Sequence, residues 1–251
     1  MQTIYAIILG IIQGITEWLP VSSSGHLAIF QNIFDINVPI LYNVLLHIAT
    51  LLVLFVVFKD DIIKCINALI SWDWKSEYGK LNKFIIVGSI PICIFGYFFR
   101  NIIESLFGNI FSISIALLIT GAILFLTKFV NQNKKLNIKN SFLIGIAQAF
   151  ALIPGISRSG ITISTGILSG VDKRKVTRFS FLLSIPAIIG AFVFEIGAIS
   201  EIEIMSSIIG FMTSFFVGYI SLRFLLNLIY KNKFWIFAIY CWIVGILLLI
   251  L

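Results

Sequence analysis

The 251-residue chain is 59% hydrophobic and only 12% charged, against about 25% charged residues in soluble globular domains. Apolar runs recur along its whole length, which excludes a soluble fold and predicts a single all-α, polytopic membrane domain over residues 1–251. The net charge of +7 does not signal nucleic acid, because the Lys and Arg residues sit in short loops between apolar runs.

In chain order, the first region, 2–34, is apolar but broken in its middle by QGITEWLPVSSSGH, residues 13–26. No basic residues precede it and no small-residue cleavage site follows, so a removable signal peptide is not expected. Runs at about 40–58, 84–101 and 110–130 are each long enough to span. A second broken region, 141–169, holds two pieces, 142–153 and 160–169, that reach only about 15–18 Å each. Runs at about 178–198, 205–229 and 234–251 bring the predicted spans to six, each covering roughly 27–38 Å. Cys65, Cys93 and Cys241 are too scattered for a disulfide framework or a zinc site.

Loop charge decides how the second broken region runs. If it returns to the side it left, fifteen basic residues, from Lys59 to Lys233, share one side, cytoplasmic by the positive-inside rule. If it crosses once, they split nine to six. The reading is therefore a re-entrant helix–loop–helix hairpin. Loops 102–109 and 199–204, with Glu104, Glu201 and Glu203, then lie outside, and region 2–34 becomes a hairpin entering from outside.

Two hairpins of opposite entry suggest inverted repeats. An offset of 135 residues matches Gly10, Ile11, Gln13, Ser22, Ser24 and Gly25 with Gly145, Ile146, Gln148, Ser157, Ser159 and Gly160. Downstream, Phe84, Ser89, Ile90 and Pro91 match Phe179, Ser184, Ile185 and Pro186 at an offset of 95. This reading puts repeat 1 at about 1–109 and repeat 2 at about 110–251, with forty extra residues (135 minus 95) accommodating the span 40–58. Such repeats place a site at their interface, near the bilayer midplane, built from half-helix ends.

Gln13 and Glu17 are i, i+4 on the first half-helix and share a face. Ser22, Ser23, Ser24 and His26 follow Pro20 at the break, and the second break reads PGISRSGIT, with Ser157, Arg158, Ser159 and Thr162. Hydroxyls in membrane helices often serve as interhelical glue, and Asn43, His47 and Thr50 read as a packing stripe on the span 40–58. Glu17 and Arg158 are different, since a charge at mid-membrane costs about 2.5–3.5 kcal/mol or more. A mutual structural ion pair is one account of them. The other is an anion site: Arg158 offers a planar fork for phosphate, the nearby hydroxyls and half-helix ends add donors, and Glu17 bridges to phosphate through a divalent cation. Ser23 or Ser24 with His26 then supplies a nucleophile and an acid/base. That is a lipid phosphohydrolase; the rival from another class is an anion carrier.

The two motifs resemble the signatures of the undecaprenyl-diphosphatase family, the bacitracin-resistance phosphatases of bacterial cell-wall synthesis. QGITEWLPVSSSGH is similar to a (Glu/Gln)-x-x-x-Glu segment running into Pro-Val-Ser-Ser-x-Gly-His, and PGISRSGIT to Pro-Gly-x-Ser-Arg-Ser-Gly-x-Thr. The resemblance implies a hydrolase of the inner membrane that removes the terminal phosphate of undecaprenyl diphosphate, recycling the carrier for peptidoglycan synthesis. It implies Glu17, Ser23, His26 and Arg158 as catalytic, with either Ser23 or His26 as nucleophile. Glu17 would hold a divalent cation, Mg²⁺ or alternatively Ca²⁺. Gln13, Ser22, Ser24, Ser157, Ser159 and Thr162 would bind substrate, while His47 receives no role. Gln13 stands where many members carry Glu. The expected partners are the polyprenyl diphosphate and the membrane, with a homodimer left open and the site opening to the outer face.

Overall fold

A computed structural model describes residues 3–130, 133–195, 197 and 203–250. Among them all regular structure is helical, apart from one isolated β-bridge between Lys134 and Val171. The first broken region forms α1 (Thr3–Thr16) and α2 (Ser23–Ile33). Next come α3 (Ile40–Val57), α4 (Lys59–Ile70), α5 (Glu77–Phe98), α6 (Arg100–Leu106) and α7 (Ile110–Leu126). The second broken region forms α8 (Ile138–Phe150) and α9 (Arg158–Leu168), followed by α10 (Lys173–Glu195), α11 (Ile204–Tyr230) and α12 (Phe237–Ile250).

Helices α3, α5, α7, α10 and α11 are long and apolar enough to cross a membrane, and α12 with its leading 3₁₀ turn adds a shorter apolar helix, Phe234–Ile250. The protein is a multi-pass, all-α membrane protein, as its composition requires. Two helices start earlier than the apolar runs suggest. α5 begins at Glu77 and α10 at Lys173, so Lys80, Lys83 and Arg178 ride on the first turns of spans. Hydropathy misses those turns because long basic side chains reach back to the interface while their helix continues below. The sequence reading also lacks α4, which is too short and mixed to register as a span. Glu201 and the end of the predicted span 178–198 lie outside the described residues.

Backbone bonds fix the hairpin. Lys134 N–H donates to Gly170 O at 2.8 Å and Asp172 N–H donates to Lys134 O at 3.2 Å. The chain just before α8 is thus stitched to the chain just after α9, so region 141–169 returns to the side it left. Side-chain bonds agree with that sidedness. Arg178 bonds Asp61 at 2.8 Å and Glu77 at 3.1 Å on the lysine-rich face. On the opposite face Arg100 bonds Glu195 at 2.7 Å, and Asn32 Nδ2 donates to Phe107 O at 3.2 Å.

Packing shows inverted repeats, with a different register from the one the motifs suggest. α1 packs mainly on α11, and its partner α8 mainly on α5. The close approaches correspond. A Cβ on Gly10 would lie 2.7 Å from Gly210 O, and one on Gly145 2.3 Å from Gly88 O. Near the breaks Thr120 Oγ1 donates to Gly155 O at 3.1 Å, and Cys241 Sγ to Pro20 O at 3.5 Å. Pro20 pairs with Gly155 at the offset of 135, so Thr120 on α7 pairs with Cys241 on α12. The repeats are therefore α1, α2, α3, α5, α7 and α8 to α12, with α3 matching α10 and α5 matching α11. The proposed match of Ser89-Ile90-Pro91 with Ser184-Ile185-Pro186 is incorrect, and the boundary falls after α7, not at residue 109. A Ser-Ile-Pro string in an Ile-rich chain is too short to fix a register. The excess of repeat 1 is thirteen residues (135 minus the 122 separating Gly88 from Gly210), which is close to the twelve of α4.

With the native cysteines replaced by Ser, single cysteines at Lys134 and Lys173 should react with an impermeant thiol reagent from the same side of sealed vesicles, and a cysteine at Arg100 from the other. Joint labelling of positions 173 and 100 from one side would rule out the hairpin.

Candidate active site

The two breaks meet. Ser22 is the N-cap of α2, with a left-handed φ of 71°, and its Oγ accepts the N–H of Gly25 at 3.2 Å. Ser157, at the matching position, caps α9 by accepting Gly160 N–H at 3.1 Å. Ser22 Oγ also accepts Gly155 N–H at 3.1 Å, tying one break to the other. A non-glycine residue at positive φ is uncommon and persists where its surroundings over-determine it. Here two N–H groups hold its hydroxyl. The N-terminal turns of α2 and α9 consequently face each other, and Ser23 and Arg158 are their first residues.

Between them sits Glu17, in the turn after α1 and 5% exposed. Its Oε1 accepts from Arg158 Nη2. Its Oε2 accepts from Ser23 Oγ at 2.8 Å and from Gln13 Nε2 at 2.9 Å. The same oxygen lies 2.8 Å from His47 Nδ1. A buried carboxylate is tolerable only when paired and hydrogen-bonded, and this one is. Gln13 is fully buried beneath it, and Gln13 Oε1 has no partner among the described residues.

These groups line a cavity of about 240 Å³. Glu17, Ser22, Ser23, Ser24, His47, Ser157 and Arg158 form its polar end; Ile92 of α5, Leu152, and Ala187, Ile188 and Ala191 of α10 form an apolar slot. Phe107, on the face opposite the lysines, also lines it. The cavity thus runs from the buried ion pair toward that face, between α5 and α10.

Not every residue expected here arrives. His26 turns away: its Nδ1 lies 2.8 Å from Ser22 O and its Nε2 2.8 Å from Tyr240 Oη on α12. A carbonyl can only accept, so Nδ1 carries the proton and, in the neutral ring, Nε2 accepts the phenol. His26 braces the first break instead of lining the cavity. Thr162 Oγ1 bonds Arg158 O at 2.7 Å and Ser180 Oγ at 2.6 Å, and Ser159 Oγ donates to Leu19 O of the first break at 3.4 Å, so neither lines the cavity. Conversely, His47, read from sequence as packing, lies against Glu17. The available signal was its place beside Asn43 and Thr50 on an otherwise apolar helix; only the fold shows that His47 and Thr50 face α1, where Gln13 Nε2 lies 3.5 Å from Thr50 Oγ1, while Asn43 accepts from Gln31 of α2.

Comparison with known proteins places this geometry. A model of the family described as bacitracin resistance protein BacA matches residues 6–247. A Methanobrevibacter smithii protein named undecaprenyl-diphosphatase is 39% identical, over 98% of this chain and 96% of its own length. Proteins of the same name from Halothermothrix orenii and Caldicellulosiruptor bescii are 40% and 43% identical, covering 100% and 96% of this chain and 98% and 94% of their own. With the family matched over nearly every described helix, and Glu17, Ser23 and Arg158 gathered at the junction of two half-helix pairs, the chain belongs to the BacA family of bacitracin resistance proteins.

Proposed function

We propose that this protein hydrolyses undecaprenyl diphosphate to undecaprenyl phosphate and inorganic phosphate. The reaction recycles the lipid carrier for peptidoglycan synthesis and so confers bacitracin resistance. The observation that carries the reading is the placement of Ser23 Oγ 2.8 Å from Glu17 Oε2, with Arg158 on the other carboxylate oxygen, at the polar end of an apolar slot. The relatives named undecaprenyl-diphosphatase support the substrate.

The chemistry follows from the contacts. Ser23 Oγ attacks the terminal phosphorus and passes its proton to Glu17. The bond from phosphorus to the bridging oxygen breaks, and polyprenyl phosphate leaves. Glu17 gives that proton to the departing phosphate; water then attacks the phosphoserine and passes a proton to Glu17, which returns it to Ser23 Oγ as the phosphorus–oxygen bond breaks and inorganic phosphate leaves. Arg158 binds Glu17 through Nη2 alone, so its remaining N–H groups are available to the phosphoryl oxygens. The opposed N-terminal turns of α2 and α9 add their dipoles. His47 and Gln13 position Glu17 from behind, so that Oε2 stays directed at Ser23. His26 holds Ser22 O and with it the turn that presents Ser23; the scheme with His26 as nucleophile gains no support from its turned-away ring.

The donor set fits a divalent cation that is completed by substrate. Glu17 and Ser23 supply oxygens, Gln13 Oε1 is a buried oxygen without a partner, and Mg²⁺ commonly takes one or two carboxylates with phosphates making up the rest. Mg²⁺, or Ca²⁺ in its place, would neutralise charge on the diphosphate beside Glu17.

We further propose that the lysine-rich face is cytoplasmic and that the site opens outward in the plasma membrane. The positive-inside rule supports the first, and Phe107 beside the cavity supports the second. A headgroup crosses hydrocarbon poorly, so the lipid enters sideways between α5 and α10 with its tail along Ile92, Ala187 and Ala191.

Arg158→Ala and Glu17→Gln should each lower turnover at least ~10²-fold in detergent-purified protein, the scale of losing a charge-stabilising group. Restored activity in the Glu17→Gln, Arg158→Met double variant would show instead that the pair is structural. His47→Leu should lower kcat with little change in KM, and His47→Asn, which keeps a donor near the Nδ1 position, should recover most of it; equal loss in both would remove the positioning role. In sealed vesicles of known orientation, hydrolysis should require substrate at the face opposite the lysines. Turnover confined to the lysine-rich face would reverse the assignment.

A further inference from the structure

Away from the catalytic cavity, the lysine-rich face carries a groove of about 830 Å³ between the α4–α5 turn and the start of α8. Four of its eight lining residues are lysines (Lys75, Lys80, Lys83 and Lys139) and none is acidic. The acidic residues nearby in sequence are already engaged: Asp73 Oδ1 accepts the N–H groups of Lys75 at 3.0 Å and Ser76 at 3.2 Å, and Glu77 bonds Arg178 at 3.1 Å. Lys83 Nζ stands 5.8 Å from the centroid of the Trp74 ring, which forms part of the wall. Opposite, Asn137 caps α8 by accepting Asn140 N–H at 2.9 Å, so the positive end of that helix borders the groove. The wall is built, not loose. Ser76 Oγ accepts Gly79 N–H at 3.2 Å, and a Cβ at Gly79 would lie 1.8 Å from Asp73 O.

The positive-inside rule explains why lysines lie on this face, but not why four converge on one groove beside a tryptophan. Helix α4 supplies the missing context. It buries Ile62, Cys65 and Ala68 and leaves Ile63, Ile66 and Ile70 exposed at i, i+3, i+7. Asp60, Lys64 and Asn67 occupy the remaining side, and Lys59 begins the isoleucine stripe at the first residue of the helix. A short helix with one face on the protein, one apolar face outward and one polar face lies in the plane of the membrane interface. Trp72 follows it, 77% exposed, with its ring 5.3 Å from that of Trp74. The exposed indole marks headgroup depth. The groove therefore opens at the level of lipid phosphates.

We infer that this groove seats the phosphate headgroup of an anionic phospholipid from the lysine-rich leaflet, with α4 lying in the interface beside it. The lysines meet the phosphodiester, Trp74 covers the glycerol, and the acyl chains run past the exposed isoleucines of α4.

The test uses the full chain in nanodiscs of phosphatidylcholine doped with phosphatidylglycerol carrying brominated acyl chains, read by tryptophan quenching. Brominated phosphatidylglycerol should quench more strongly than brominated phosphatidylcholine at equal mole fraction, and Trp74→Phe should remove most of the difference. Each Lys→Gln change at positions 75, 80, 83 or 139 should weaken the preference about fivefold, from ~1 kcal/mol per basic residue near the surface. Lys128→Gln with Lys173→Gln, elsewhere on the same face, should leave it intact, and hydrolysis should be unchanged in all of these variants. Equal loss in both lysine sets would reduce the effect to bulk charge and overturn the site. Displacement by millimolar inorganic phosphate would show a free-anion site and overturn the lipid assignment, as would the absence of any preference.

Discussion

A single carboxylate in the membrane interior imposes most of this architecture. Glu17 must find partners for both oxygens in a medium that supplies none, and it finds them on four elements: Gln13 on α1, Ser23 on α2, His47 on α3 and Arg158 on α9. No continuous span could bring those groups to one point. Breaking two helices does so, because each break turns the chain and presents a fresh N-terminal turn at membrane depth. Non-helical backbone there is tolerated only where protein or a wet cavity covers it. Here the covering is mutual, with Ser22 accepting Gly155 N–H across the junction and Thr120 and Cys241 bonding the buried carbonyls of Gly155 and Pro20. An isolated Glu–Arg pair would be a poor use of such a framework, since well-packed apolar side chains are usually as stabilising. The proposed role, a pair opened by a substrate phosphate, accounts for it better.

The repeats share a backbone and divide the chemistry. Each break is capped by a serine, Ser22 at positive φ and Ser157 extended, yet the position of Glu17 is Leu152 in the second repeat and that of Ser23 is Arg158. His26 corresponds to Ile161. Two identical cradles facing each other would give a site with twofold charge. Divergence instead puts the carboxylate and a serine hydroxyl on one side and a guanidinium on the other. Gln148 keeps the identity of its counterpart Gln13, but without a neighbouring acid or imidazole both its amide atoms lack partners among the described residues. The comparison shows what His47 and Glu17 contribute to Gln13: the same buried amide is bonded in one repeat and stranded in the other.

Much of this was legible in the sequence because the costs are large. Burying charge is expensive enough that Glu17 and Arg158 stand out from any apolar run, and the asymmetry of fifteen lysines and arginines revealed the hairpin that Lys134 and Gly170 close. What stayed hidden depends on rotation of helices about their own axes. Whether His26 faces the cavity or Tyr240, and whether His47 faces lipid or α1, turns on about a hundred degrees per residue, and apolar runs without a polar face carry no phase. The repeat register failed for a related reason. Isoleucine, serine and glycine recur so often that a short string finds chance matches, whereas the glycines that let helices touch, Gly10 with Gly210 and Gly145 with Gly88, are recognisable only as pairs in space.

The asymmetry between the two faces follows from the same logic. A hydrolase of a membrane lipid needs a polar end deep enough to exclude bulk water, and an apolar slot that opens to the bilayer along its length. The slot between α5 and α10 meets both needs because small residues, Ala187 and Ala191, sit one turn apart on the wall opposite Ile92. On the other face nothing has to move: Arg178 ties α10 to α4 and α5, and Lys173 bonds the α11–α12 turn through Asn232. One face is closed by a stitched hairpin, while Phe107, on the other, lines the cavity. On the outward-opening reading proposed above, the diphosphate meets Arg158 through this mouth, while the stitched hairpin separates the ion pair from the lysine-rich face.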